Sequence, residues 1–346
     1  MKKQFLWGAV GQGVRALNKL AFPLQNDNNK LIRFDTSLGT ENLGDYIIMH
    51  YCNKILDELF PDYQSIHIST HLMPAIEQET DVKQTKYKFV CGTNLLTSNI
   101  EHHWRWILPD GVRRKMTYSN IILLGVGWGE YQQKCTDYSR MIYRTVLNPK
   151  MLHSVRDQYT QEKLEEAGFK NVINTGCPTT WALTPEFCRD IPTKKSKDVV
   201  ATITDYRRDT EKDNEMLAIL SRNYDHIYLW LQGNHDEEYL KTLNIPENLT
   251  TIPANLEAYE EVLRESGVDY VGTRLHAGIH ALNHKVRSII LAVDNRATEM
   301  GRDVNLPVIQ RSEIMETLEK KIQSQFATEI QIKQENIERF KAQFRR

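Results

Sequence analysis

Past residue 30 the chain repeats one alternation: a short apolar run, a polar break, then a stretch with apolar positions every three or four residues. The apolar runs at 31–34, 88–91, 121–126, 154–156 and 171–175 predict strands. Between them the pattern predicts helices over 46–59, 139–147 and 160–167. Pro178, Pro185 and Pro192 then interrupt it, followed by a polar run at 194–198. A second series follows, with strands predicted at 199–203, 227–231, 250–252, 270–271 and 288–293. Its helices are predicted at 215–221, 236–242, 259–266 and 277–282, and terminal helices at 312–323 and 332–344. Short apolar strands alternating with helices argue for parallel sheets with helices on both faces. The expected fold class is α/β, built as two Rossmann-like domains.

The expected division is an N-terminal amphipathic segment at 1–30, a first domain at 31–178, a linker at 179–197 and a second domain at 198–325. A C-terminal helical segment at 326–346 could cross back to the first domain. In the first segment Phe5, Leu6, Trp7, Val10, Val14, Leu17 and Leu20 share most of one helical stripe beside Lys2, Lys3, Arg15 and Lys19. Such a stripe either lies weakly on a membrane surface or packs on its own domain or on a second subunit. Gly8, Gly11 and Gly13 weaken an isolated helix and favour packing.

Composition narrows the function classes. The chain has 346 residues, 40% hydrophobic and 26% charged, as an ordinary globular protein does. Its formal charge of −1 gives no support for nucleic-acid binding, which needs a concentrated basic face. No run of 18 apolar residues is present, so no membrane span is expected. Cys52, Cys91, Cys135, Cys177 and Cys188 are odd in number and scattered, and read as free thiols of a cytoplasmic protein.

The most informative stretch is 269–280. Asp269 to Val271 reads as a buried strand end, Gly272-Thr273 breaks it, and a helix follows, so Arg274 and His276 fall where strand gives way to helix. Open α/β sheets bind ligands at that edge, and helix N-termini favour anions. A forked cation beside an imidazole there suits an anionic substrate and a proton transfer. Arg156 and one of Arg207 or Arg208 occupy similar strand ends. Gly125-Val126-Gly127-Trp128-Gly129 lacks the full dinucleotide fingerprint and an acidic partner at the expected distance, which excludes a nicotinamide reading. Asp45 reads equally as a helix cap or a substrate contact, whereas Asp157 reads as a cap or a partner of Arg156, and Asp236 as a cap. His276 and His280 are four apart, but no nearby acidic residue completes a metal set, and no metal is expected.

Four short motifs stand in order: Asn42-Leu43-Gly44-Asp45, Ser154-Val155-Arg156-Asp157, Thr175-Gly176-Cys177-Pro178 and Arg274-Leu275-His276-Ala277. In order and spacing they resemble the polysaccharide pyruvyl transferase family over about residues 35 to 310. The chain departs from the family pattern at Cys91 to Leu96, Cys177, Lys285 to Arg287 and Arg296. The resemblance implies a GT-B-like arrangement, two domains facing a cleft. It implies pyruvyl transfer from phosphoenolpyruvate to a sugar of a surface or exopolysaccharide, with a saccharide or lipid-linked saccharide acceptor. His276 and Arg274 would be catalytic, with Arg156, Asn42, Asp45, Arg207 and Asn94 on the substrates. No cofactor is implied. A homo-oligomer and a peripheral place at the inner membrane face remain open. The alternative is a GT-B glycosyltransferase with a nucleotide-sugar donor, which needs a ribose-binding carboxylate and a base slot, neither of which is identified. A binding module without catalysis would have lost the strand-end cations, which are present.

Overall fold

A computed structural model describes residues 29–73, 78–102, 105–108, 118–265 and 267–345. The amphipathic stripe at 5–20 lies outside them. The chain divides into two compact units. The first holds the described residues of Met1–Thr40 and Ile48–Pro178, together with those of Lys333–Arg346. The second holds Glu41–Ile47 and the described residues of Thr179–Ile332.

In chain order the first unit carries β1 (Lys30–Asp35), most of α1 (Leu43–Leu59), β2 (Gln64–Ser69), α2 (Gln78–Gln84), β3 (Tyr87–Cys91), β4 (Ile121–Leu124), α3 (Asp137–Val146), β5 (His153–Val155), α4 (Gln158–Glu166) and β6 (Val172–Asn174). Its sheet runs β2-β1-β3-β4 with every pairing parallel. β5 and β6 form a parallel pair, and a parallel bridge between Val126 and Val155 ties it to the end of β4. The strands are apolar runs because both faces are covered: Ile121, Ile122, Leu123 and Leu124 are all buried.

The second unit carries α5 (Pro185–Cys188), β7 (Asp198–Thr202), α6 (Thr210–Asn223), β8 (Ile227–Trp230), α7 (Asp236–Leu240), β9 (Leu249–Ile252), α8 (Leu256–Arg264), β10 (Val268–Gly272), α9 (Leu275–Asn283), β11 (Ser288–Ala292), α10 (Asn295–Val304), β12 (Val308–Gln310) and α11 (Ile314–Gln323). The chain ends with α12 (Gln334–Ala342), in the first unit, where Phe344 meets the rings of Phe60 and Phe89. The second sheet is wholly parallel in the order β12-β11-β10-β7-β8-β9. The chain moves outward through β8 and β9, returns to the other side of β7 as β10, and continues outward. That is the doubly wound order, and its reversal between β7 and β10 opens a crevice at the strand ends.

Stretch 179–197, expected as a linker, is built into the second unit. Lys285 Nζ reaches Phe187 O at 2.7 Å and Asp190 at 2.8 Å, and Phe326 N donates to Thr193 O. Arg287, where the chain departs from the family pattern, lies buried against Asp269 at 2.7 Å and donates to the carbonyls of Lys321, Ile322 and Ser324. It thereby fixes β10 against the end of α11. All five cysteines are buried free thiols. Among the described residues no helix is long and apolar enough to cross a membrane.

Candidate functional site

The crevice at the β7–β10 reversal is lined by Asn42, Tyr206, Gln232, Arg274, His276 and Arg296 among others. Each comes from the carboxyl end of a strand or the start of a helix. β10 ends at Gly272, where a side chain would stand 2.2 Å from Thr202 Oγ1, so only glycine lets β10 and β7 approach this closely. Thr273 and Thr204 share a hydroxyl contact of 2.8 Å, and Arg274 N donates to Thr202 Oγ1 at 3.2 Å. These bonds set Arg274 as the residue before α9, and His276 in the first turn.

Arg274 is 3% exposed. Its Nε donates to Ile203 O at 2.9 Å, and its Nη2 to Asp205 at 2.9 Å and Asp236 at 2.5 Å. No hydrogen bond of Nη1 is found among the described residues, and the guanidinium lines the crevice. Asp236 was expected to cap α7. Instead its oxygens accept Asp205 N, Gln232 N and Gly233 N as well as Arg274. Burial pushes its carboxyl above the usual range against the pull of Arg274. All four partners are N–H donors, so the network fits the carboxylate.

α9 begins without a side-chain cap, so its first-turn N–H groups face the crevice side with their partial positive charge. His276 is buried beside them and lines the crevice. Arg296, on α10, completes the cationic wall. Asp294 accepts from its Nε at 3.0 Å and its Nη2 at 2.6 Å, and Nη2 also donates to the Tyr206 hydroxyl. Burial alone would depress this guanidinium, but Tyr206, Asp294 and Asp45 hold its pKa above the ordinary value. The Tyr206 ring lies beneath both arginines, 5.1 Å from Arg274 and 5.6 Å from Arg296.

The Asn42 motif docks on the loop after β8. Asn42 Oδ1 accepts from Gly44 N at 3.1 Å and from Gln232 Nε2 at 2.7 Å, and Leu43 N donates to Gln232 O. Asn42, expected on the substrate, is thus the cap of α1 as well as a wall of the crevice. Asp45 sits buried in the first turn, close enough to act on Arg296. Arg207 is exposed on the turn after β7 and does not line the crevice, whereas Tyr206 does.

Arg156 and Asn94 meet each other in the first unit. Arg156 Nη1 donates to Asn94 Oδ1 at 2.5 Å, while its Nε and Nη2 grip Asp157. Asp157 caps α4 by accepting from Thr160 N at 2.8 Å, as expected. A Cβ on Gly127 would lie 2.3 Å from the Arg156 guanidinium carbon. Gly127, in the glycine motif after β4, therefore makes room for the Arg156 guanidinium.

Sequence reasoning missed Asp205, Asp236 and Tyr206 as partners of Arg274. Asp205-Tyr206 directly follows the β7 run, so a search of every strand end for carboxylates and aromatics would have found them. It also found no acidic residue near the helical histidines. The structure corrects that: Glu260 of α8 stands 3.3 Å from His280.

A family model described as polysaccharide pyruvyl transferase matches residues 42–295. No curated protein matches the chain. Solved structures similar to it include S. aureus MnaA with UDP, at 12% identity over 86% of this chain and 91% of that one, TM-score 0.46. The wall teichoic acid polymerase TagF with CDPG is 15% identical over 99% and 92%, TM-score 0.41. The E. coli heptosyltransferase WaaC with ADP is 11% identical over 84% and 99%, TM-score 0.40.

Proposed function

The chain belongs to the polysaccharide pyruvyl transferase family, and from that premise we propose that it makes a pyruvyl ketal on a saccharide, with phosphoenolpyruvate as donor. The acceptor is a sugar of a surface or exopolysaccharide, free or lipid-linked. In this reaction two sugar hydroxyl oxygens bond to the enol carbon and its phosphate leaves. One hydroxyl proton ends on the methylene carbon, which becomes a methyl group, and the other leaves with the phosphate. The donor brings a phosphate and a carboxylate, and the reaction needs a group that moves a proton.

The observation that carries the reading is the grouping of Arg274, His276 and Arg296 around the uncapped start of α9. Arg296 and the free edge of Arg274 hold the donor anions, assisted by the N–H groups of α9. Each cation is partly offset by carboxylates, Arg274 by Asp205 and Asp236 and Arg296 by Asp294, so the donor anions are held by the two together. His276 delivers the proton to the methylene carbon or takes it from the attacking hydroxyl. Asn42 borders the same crevice and contacts the acceptor, while Asp45, in the first turn of α1, acts on the site through its charge on Arg296.

Calorimetric titration with phosphoenolpyruvate and with a panel of nucleotide sugars tests the donor. Saturable binding of phosphoenolpyruvate alone is expected. Binding of a nucleotide sugar without phosphoenolpyruvate would replace this reading with glycosyl transfer.

A further inference from the structure

Away from the crevice, three side chains with metal-ligand chemistry gather where α8 packs on α9. We propose that Glu260, His280 and His284 form a binding site for a divalent transition cation of the zinc type. The site is independent of the transfer reaction and ties the two helices together.

His280 and His284 are four residues apart at the end of α9, so they share a face, and Glu260 reaches that face from α8. Each residue offers one ligand atom, and the three atoms lie within 4.8 Å of one another. His280 Nε2 and Glu260 Oε1 are 3.3 Å apart. Ligands about 2.0–2.1 Å from a tetrahedral zinc are separated by about 3.3–3.4 Å, so this edge of the coordination shell already has the right length. The remaining edges close by moving His284, which is only half-buried.

The surroundings orient the ligands. His284 Nδ1 lies 2.9 Å from His280 O, a carbonyl that can only accept, so Nδ1 carries the proton. The lone pair that His284 offers is then on Nε2. Metal-bound imidazoles are commonly held in this way, by a backbone carbonyl on the other ring nitrogen. Arg264 donates to Glu260 Oε2 at 2.6 Å, which leaves Oε1 turned to His280. The carboxyl end of α9 carries the negative end of the helix dipole, which favours a cation. Two imidazoles and one carboxylate suit Zn2+ or Co2+ over Mg2+ or Ca2+, with water in the fourth position. His276 lies eight residues before His284, roughly 12 Å along the helix. The ion therefore braces α9 from its far end and touches no reacting atom.

The test uses the full, untagged chain, stripped with chelator and titrated separately with Zn2+, Co2+ and Mg2+. One equivalent of Zn2+ should raise the thermal midpoint, Co2+ should give the visible absorption of a tetrahedral complex, and Mg2+ should do neither. Glu260→Gln and His284→Gln are on partly exposed side chains and should fold. Each should weaken Zn2+ binding by about tenfold or more. Failure of the wild-type chain to bind Zn2+ would overturn the proposal. So would equal affinity in both variants, which would place the ion on other ligands. Either result leaves the donor reading untouched, because its titration requires no metal.

Discussion

Arg156 and Arg274 look alike in sequence and differ in what they can do. Each follows the end of a parallel strand, each precedes a helix, and each is nearly excluded from solvent, at 1% and 3% exposure. Arg156 spends Nε, Nη1 and Nη2 on Asp157 and Asn94, and its helix is capped by Asp157. Arg274 keeps one edge toward a crevice, and its helix starts without a side-chain cap. A strand-end arginine is thus locked when its neighbour caps the helix, and keeps an edge for the proposed donor when the helix end is left open. The aspartate immediately after Arg156, where Arg274 has Leu275, makes the difference.

The largest expected effect breaks the lock. Arg156→Ala leaves Asp157 without its cation inside the first unit, and removing one partner of a buried pair costs about 3–5 kcal/mol. Urea unfolding should register that loss, while protein that remains folded should bind donor normally. A stable variant with lost donor binding would make the two arginines equivalent and defeat the comparison.

Arg296→Ala probes the open site. Loss of a charge-assisted contact is worth about 1.5–3 kcal/mol, so titration should find phosphoenolpyruvate binding weakened by roughly ten- to a hundredfold. Unchanged affinity would remove Arg296 from the donor site.

A smaller effect sharpens the picture of the first unit as the locked one. Burial holds the His153 pKa down from 6.5 to about 4, against the pull of its bond to Asn148 O. Its Nε2 donates to that carbonyl and its Nδ1 accepts from Leu123 N, so the native fold fits the neutral ring. Between those two values the unfolded chain takes up a proton that the folded chain refuses. Stability is therefore full above pH 6.5 and falls as pH drops toward 4, by at most about 1.4 kcal/mol per unit. Unfolding at pH 6.5 and 5.5 should show this slope, and His153→Gln should flatten it.

Much of this was legible along the chain. The β10 run and the break at Gly272-Thr273 were enough to put Arg274 and His276 where strand gives way to helix, because a buried parallel strand is mostly apolar, and the one charge in it, Asp269, is paired inside with Arg287. β2 was not seen, because the edge strand Gln64-Ser65-Ile66-His67-Ile68-Ser69 has only two apolar residues and is mostly half-buried. α10 was missed because Ala297, Met300 and Val304 are diluted by charged neighbours. The partners of Arg274 stayed hidden for a different reason. Asp205 and Asp236 follow β7 and β8, 69 and 38 residues away, and only the strand order brings those ends beside β10. Glu260 and His280 likewise meet only once α8 packs on α9.

The central claim is that the open site at the start of α9 performs a proton-coupled transfer from phosphoenolpyruvate. The most direct measurement follows phosphate release and ketal formation by wild type and by His276→Gln, alongside donor affinity. The account predicts donor binding close to wild type with turnover lower by about 10²–10⁴. Wild-type turnover in the variant, or a loss explained entirely by lost donor binding, would contradict it.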